Sequence, residues 1–148
     1  PKELFIRANE IIIESLEGFT EFLDKIVEGE DVPYIKFTYN KGVKNNVINM
    51  LIDMPPVITD KVEWHGFDDT LGSIIQAHIS NKLIIDGSVL NMCGYKRTHP
   101  LENSMLFTLS MNNSDDLEEK EKTNKIIQVF KDCCGELKNI YETIIKSL

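Results

Sequence analysis

The sequence predicts an α+β domain, because two long helical patterns enclose a series of strand-like segments. Apolar residues recur every three or four positions from Pro1 to about Val27, and again from Ile126 to Leu148. Between these patterns, short segments alternate apolar and polar residues, which is typical of half-buried strands. With 148 residues, of which 42% are hydrophobic, the chain is long enough for one domain core.

The first helix is predicted over Pro1 to about Val27, with Gly29 as its C-terminal stop. Its apolar positions are Leu4, Phe5, Ala8, Ile11, Ile12, Leu16, Phe19, Phe22, Leu23 and Ile26. This apolar stripe is too long for a small sheet to cover. The helix is therefore expected to pack against a further partner.

Strands are expected after the first helix. Ile35 to Tyr39 alternates as a half-buried strand, and Val47 to Ile52 is nearly all apolar, as in a more buried strand. A turn is expected over Lys41 to Asn46. Pro55-Pro56 interrupts regular structure because proline cannot donate to a strand ladder, and a further short strand is expected at about Lys61 to His65.

A shorter helix is predicted to begin at Asp68 or Asp69, whose carboxylates can accept hydrogen bonds from free N–H groups of the first turn. Its apolar face comprises Leu71, Ile74, Ile75, His78 and Ile79. Gly72 within this helix costs about 0.5–1 kcal/mol of helix propensity. That cost indicates close approach of another backbone or side chain at Gly72. The helix is expected to end at Asn81-Lys82.

Two further strands and a final helix complete the expected order. Ser88 to Arg97 is strand-like, with a bulge or a close approach expected at Gly94, and Ser104 to Met111 alternates between two faces. Ser114 is the expected N-cap of the final helix, which would run for about 33 residues and about 50 Å. Its charged first part, Glu118 to Lys125, is expected to be solvated.

The apolar face of the final helix is long and regular. It comprises Ile126, Ile127, Phe130, Cys133, Cys134, Leu137, Ile140, Tyr141, Ile144, Ile145 and Leu148. Gly135 within it marks either a weak point or a place where two helices touch closely. Two apolar helices of this length on so small a domain indicate that part of their surface contacts another polypeptide.

The charge balance disfavours direct binding of nucleic acid. The chain has 24 acidic and 16 basic residues, for a net charge of −8, whereas phosphate contacts require Lys and Arg. No run approaches the roughly 18 apolar residues of a membrane span, and no basic-then-apolar signal segment opens the chain. Cys93, Cys133 and Cys134 form a poor disulfide framework, so a reducing compartment is expected.

The spacing of potential catalytic and metal-binding residues supports neither chemistry. There is no C-x-x-C pair and no H-E-x-x-H motif, so no metal site and no cofactor are expected. Asp68 and Asp69 are adjacent and fit helix caps better than paired catalytic carboxylates. His78 falls on an apolar helix face, and His99 has no nucleophile with a supporting base beside it. The chain is therefore not expected to be an enzyme by itself.

Two separated motifs resemble the alpha-like assembly subunits of RNA polymerase. Asp69-Thr70-Leu71-Gly72-Ser73 is similar to the family's His-Thr-Leu-Gly-Asn signature, with aspartate in place of histidine and serine in place of asparagine. Gly94-Tyr95-Lys96 and then His99-Pro100-Leu101-Glu102 follow at the family's spacing. The resemblance covers about Tyr34 to Leu148 and includes the eleventh subunit of eukaryotic RNA polymerase II, archaeal subunit L and the bacterial alpha amino-terminal domain. Pro55 to Phe67 looks like an insertion.

The resemblance implies an antiparallel sheet with helices packed on one side. It also implies a non-catalytic subunit that dimerises through its helices with a larger alpha-like partner, forming a platform on which the two large polymerase subunits dock. The interface positions that it implies are Thr70, Leu71, Gly72, Ile75, Phe130, Leu137, Ile140, Tyr141 and Ile144. No direct contact with nucleic acid or a membrane is implied.

The first helix has a different resemblance, because Pro1 to Lys25 resembles the closing helix of the larger partner, the third subunit of polymerase II. Two units are therefore expected, the helix and linker of 1–31 and the dimerisation domain of 32–148. The chain begins at Pro1 without an initiator methionine, so we expect it to be a piece of a longer polypeptide. Because fusion of these two subunits is a feature of large nucleocytoplasmic DNA viruses, the two resemblances together imply the carboxy-terminal part of such a viral fusion subunit. The expected location is the host cytoplasm and the virion if viral, and otherwise the nucleus.

The sequence is also compatible with two other functions. One is a ferredoxin-like α+β interaction module, unrelated to transcription, that dimerises through the same helices. The other is a small enzyme that uses His65, Asp68 and His99. Recovery of the two large polymerase subunits with the full-length protein would separate the assembly function from both alternatives.

Overall fold

The computed structural model describes residues 1–40, 46–53, 57–58, 63–64, 67–83, 85, 87–98 and 104–148. Its helices are α1 (Lys2–Val27), α2 (Asp69–Ser80) and α3 (Glu119–Lys146). Its strands are β1 (Ile35–Tyr39), β2 (Val47–Ile52), β3 (Val57–Ile58), β4 (Glu63–Trp64), β5 (Leu90–Arg97) and β6 (Met105–Met111). The predicted α+β fold is confirmed.

The main sheet has four strands in the order β1-β2-β6-β5, and each neighbouring pair is antiparallel. Alternation along the strands turns Ile48, Met50 and Phe107 toward the helices, where they are fully buried. β3 and β4 form a separate two-stranded sheet. The short strand expected near Lys61 to His65 is thus present as Glu63–Trp64, and its partner β3 was not predicted.

Some predicted features lie outside the described residues. They are most of the turn at 41–46, Pro55-Pro56, His65 and the motif His99-Pro100-Leu101-Glu102.

β5 contains an irregularity, but not at the predicted position. The register with β6 shifts between Leu90 and Met92, close to the turn at Gly87, where φ is +83°. Gly94 pairs regularly with Thr108, and a Cβ on Gly94 would meet the Thr108 carbonyl oxygen at 3.7 Å, an ordinary contact. The prediction of a bulge or close approach at Gly94 is therefore wrong, because the chain becomes irregular where it leaves the turn.

α1 packs antiparallel against α3, and two ion pairs define their register. Lys131 Nζ lies 2.5 Å from Asp24 Oδ1, and Lys138 Nζ lies 2.9 Å from Glu17 Oε1. α1 ends as predicted, with Gly29 at φ +87°, a left-handed conformation that glycine adopts without strain.

One hydrophobic core joins the helices to the sheet. Phe19 of α1 packs against Phe67 with ring centroids 4.8 Å apart, and Phe107 of β6 meets Phe130 of α3 edge-on at 5.0 Å. Burial of each such side chain contributes about 1.5–3 kcal/mol. α1 therefore shares its core with the segment 32–148, and the proposed boundary at residue 31 stays a prediction.

α3 begins later than predicted, at Glu119, and Ser114 is not its N-cap. Asn113 has φ +53°, so the chain changes direction directly after β6, and Ser114 is buried, with 1% of its surface exposed. The helix then runs for 28 residues, about 42 Å rather than 50 Å. Lys122, which was expected to be solvated, is only 6% exposed. None of the described helices is long and apolar enough to cross a membrane.

Candidate functional site

Asp68 and Asp69 at the start of α2 have different partners. Asp68 Oδ1 accepts a hydrogen bond from the backbone N–H of Leu71 at 2.9 Å, which satisfies a free donor of the first turn. Asp69 Oδ1 accepts a hydrogen bond from the Tyr95 hydroxyl, also at 2.9 Å. The predicted capping role is thus confirmed for Asp68, whereas Asp69 connects the helix to β5.

Tyr95 lies across Gly72. A Cβ on Gly72 would come closer than 3.0 Å to three atoms of the Tyr95 side chain. The same ring packs against Phe107, with centroids 5.0 Å apart. Burial raises the pKa of Tyr95, and its hydrogen bond to Asp69 raises it further. The predicted close approach at Gly72 is confirmed, and the approaching group belongs to the same chain.

The side chains of several predicted interface residues are buried within this chain. Leu71 and Ile75 of α2, and Phe130 and Leu137 of α3, are buried in its own core. Gly72 is covered by Tyr95. These side chains hold α2 and α3 in place, and their direct contact with a partner stays a prediction.

Other predicted interface residues are accessible. Thr70 is exposed at the start of α2, and Ile140 on α3 is 47% exposed. Tyr141 and Ile144 are partly exposed and lie beyond Leu137, the last buried residue of α3. The apolar stripe of α3 thus continues past the part that the chain itself covers.

α1 adds exposed apolar residues at the same end of the helix pair. Leu4 is 73% exposed and Phe5 is 51% exposed. The antiparallel register places the first turns of α1 beside and beyond the last turns of α3. We define the helix-end surface as Leu4, Phe5, Ile140, Tyr141, Ile144 and Leu148. Leu4 and Phe5 were part of the predicted stripe of α1 but not of the predicted interface.

The RNA polymerase Rpb3/Rpb11 dimerisation domain matches residues 61–147, more than half of the chain. The chain belongs to this family. The matched residues include α2, β5, β6 and α3, so both sequence motifs and the Gly72–Tyr95 contact lie within the family domain. None of the curated proteins matches the chain significantly.

Membership in the Rpb3/Rpb11 dimerisation family makes the chain an alpha-like RNA polymerase subunit with a role in assembly and dimerisation. An interaction module unrelated to transcription is not favoured. Of the residues in the enzymatic alternative, Asp68 caps α2, whereas His65 and His99 lie outside the described residues.

Glu136 joins α2 to α3 within the family domain. Its Oε2 lies 2.7 Å from His78 Nε2 and pairs with Lys82 Nζ. The hydrogen bonds from Lys82 and then His78 lower the pKa of Glu136. A hollow of about 240 Å³ opens beside this cluster. His78, which the sequence places on an apolar helix face, thus has a structural partner on the neighbouring helix.

The cysteines of the family domain are buried and unpaired. Burial raises the pKa of Cys93 and of Cys134 to about 12, and raises that of Cys133 as well. All three are therefore neutral thiols at pH 7, which are poor nucleophiles. In the part of the chain that the structure describes, no three His, Cys, Asp or Glu side chains come together as a metal site requires.

Proposed function

We propose that this alpha-like subunit pairs with a larger alpha-like partner through the helix-end surface. The observation that carries this proposal is the exposure of Ile140, 47%, on a helix of the matched dimerisation domain. Exposed apolar residues concentrated at one place commonly mark protein interfaces. Leu4 and Phe5 of α1 extend the same surface and strengthen the argument.

In this proposal the paired subunits form a non-catalytic platform that the two large polymerase subunits join. Thr70 supports this step because it is exposed at the start of α2, beside the Asp68 cap, and is free to meet a further subunit. The buried Leu71 and Ile75 would not contact the further subunit, but they would hold α2 in the position that exposes Thr70.

We further propose that α1 derives from the larger partner, within a fused polypeptide of a large DNA virus. One observation supports this origin: α1 packs along α3 as a helix from a partner would. Such a fusion would work in the host cytoplasm, at the site of viral transcription.

Coexpression of the chain with a larger alpha-like subunit tests the pairing step. We expect a one-to-one complex in sedimentation equilibrium and protection of Ile140, Tyr141 and Ile144 from hydrogen exchange. Separate, non-interacting species would contradict the pairing. For the platform, purification of the tagged full-length protein from its native source should recover the two large polymerase subunits, and their absence would contradict that role.

A further inference from the structure

The sheet face turned away from the helices has one unusual row of side chains. The strand register pairs Lys36 with Leu51, Leu51 with Leu106, and Leu106 with Lys96. Two leucines on the central strands are therefore flanked by a lysine on each edge strand. Three strand spacings separate the two lysines, which is about 14 Å between their Cα atoms. Both lysines are exposed and both leucines are partly exposed.

The next two rows, which follow one another toward the start of β2, are uncharged. One consists of Thr38, Asn49, Thr108 and Gly94. No side chain projects from the sheet at Gly94. The other consists of Val47, Ser110 and Met92, with Met92 40% exposed. We call these three rows the outer sheet face.

The charge of the outer sheet face is opposite to that of the whole chain. The chain carries a net charge of −8, whereas these three rows contain two lysines and no Asp or Glu. Among the described residues, Asp53 follows β2 directly and lies opposite Tyr34, in the row on the other side of the lysines. The face thus presents cations around an apolar centre on an otherwise acidic protein, which is electrostatically complementary to carboxylates.

Two ordinary explanations account for only part of this pattern. The free face of an antiparallel sheet is usually polar, which fits the threonines but not a cross-strand pair of leucines. Lysines on edge strands hinder pairing with other strands, which fits Lys36 and Lys96 without involving the centre of the face. Neither explains why the leucines and the lysines share one row.

We propose that the outer sheet face docks an acidic segment of a partner protein. Apolar side chains of that segment would cover Leu51 and Leu106, and its carboxylates would pair with Lys36 and Lys96. This docking site is distinct from the helix-end surface, because the helices pack on the other face of the sheet. It does not depend on pairing with the alpha-like partner.

Isotope-labelled full chain titrated with two synthetic helical peptides tests the proposal. In the first, two leucines one turn apart are flanked by glutamates about 14 Å apart along the helix. In the second, lysines replace the glutamates. We expect the acidic peptide to shift amide signals of the outer sheet face and to bind at least tenfold more tightly than the basic peptide. Added salt should weaken its binding, because exposed ion pairs are screened.

Matched variants separate the contributions of charge and packing. Lys36→Glu with Lys96→Glu should remove binding of the acidic peptide, whereas Lys25→Glu with Lys125→Glu makes the same charge change on α1 and α3 and should leave it unchanged. Leu51→Thr with Leu106→Thr keeps β-forming residues and should weaken binding at least fivefold, with dispersed amide signals showing an intact fold.

Other results would overturn the proposal. These are equal binding of the two peptides, absence of binding, or signal shifts confined to the helices. Shifts restricted to the backbone edges of β1 or β5 would indicate strand addition instead. Self-association of the chain that Lys36→Glu with Lys96→Glu abolishes would identify a second copy as the occupant, and would equally overturn the acidic-partner proposal.

Discussion

The ring of Tyr95 lies against Gly72, and this contact joins the two motifs of the family domain. A side chain at position 72 would occupy the space of the ring. Tyr95 is held in place by the acceptor Asp69 and by the ring of Phe107. The glycine that weakens α2 as an isolated helix is therefore required for α2 to pack closely on β5.

Replacement of Gly72 by alanine should destabilise the protein by about 1–2 kcal/mol. Alanine improves helix propensity by about 1 kcal/mol, but overpacking typically costs about 1–3 kcal/mol, and displacement of Tyr95 also breaks its hydrogen bond to Asp69. Urea unfolding measures the change in the free energy of unfolding. Tyrosine absorbance at alkaline pH should also show a Tyr95 pKa nearer its ordinary value.

Gly135→Ala is the matched control, because Gly135 lies in an exposed part of α3 and a Cβ there would meet no atom within 4 Å. This variant should gain about 0.5–1 kcal/mol of stability from helix propensity. A loss of stability in Gly135→Ala, or a gain in Gly72→Ala, would contradict the packing argument.

Asp68→Ala should cost about 1 kcal/mol, because it removes the acceptor for the Leu71 N–H at the start of α2. Asp68→Asn should be nearly neutral, since asparagine is an equally good N-cap. Thermal unfolding of the two variants measures both effects. A large loss in the asparagine variant would mean that the charge of Asp68, rather than its capping oxygen, is required.

Ile140→Asp should weaken pairing with the larger alpha-like subunit at least thirtyfold, which is about 2 kcal/mol. A carboxylate would be buried without a partner in the proposed interface, whereas in the free chain this position is exposed and substitution should change stability little. Analytical ultracentrifugation measures the dissociation constant.

Two neighbouring substitutions make the Ile140 experiment selective. Asn139→Asp adds the same charge to an exposed position and should leave pairing intact. Leu137→Asp should unfold the chain, because Leu137 lies in its own core. An unchanged dissociation constant for Ile140→Asp would show that Ile140 does not lie in the interface.

Glu136 should make the stability of the family domain depend on acidic pH. Its folded pKa is lowered by Lys82 and His78, so its contribution is complete above the unfolded value of about 4.3 and is lost as pH falls through the lower folded pKa. The contribution should be about 0.2–1 kcal/mol, because the ion pair is solvent-accessible.

Urea unfolding of Glu136→Gln and the original protein measures this contribution. The difference in the free energy of unfolding should be present at pH 7 and should disappear in the acid range below the folded pKa. Glu21→Gln, which makes the same charge change on an exposed face of α1, controls for net charge. A difference that grows on acidification would contradict the assignment.

Apolar periodicity located the helices and the four strands of the main sheet because burial of one face imposes that pattern directly on the sequence. The residues at which helices begin and the irregularities within strands were harder to predict. Ser114 has the chemistry of an N-cap, yet the left-handed Asn113 turns it into the core and α3 begins at Glu119. Gly94 looked like a bulge, although it continues a regular ladder with Thr108.

The sequence also predicted which positions are apolar without predicting what covers them. Phe130 and Ile140 belong to the same helical stripe, but the first is buried by its own chain and the second is 47% exposed. Helical spacing cannot distinguish them, because the difference depends on where α1, α2 and the sheet end. The close contact at Gly72 was predictable, because a glycine that weakens its helix indicates that another group approaches there. That this group is the ring of Tyr95 could be learned only from the fold.

The covalent connection between α1 and the family domain has a consequence for assembly. α1 and α3, which are joined by two ion pairs, belong to one polypeptide. The packing of α1 on α3 is therefore intramolecular, and the effective concentration that governs it does not change on dilution. A seam between helices of two separate chains would instead dissociate as the protein concentration falls below its dissociation constant. The α1–α3 seam should therefore stay closed at protein concentrations where a two-chain seam would be lost.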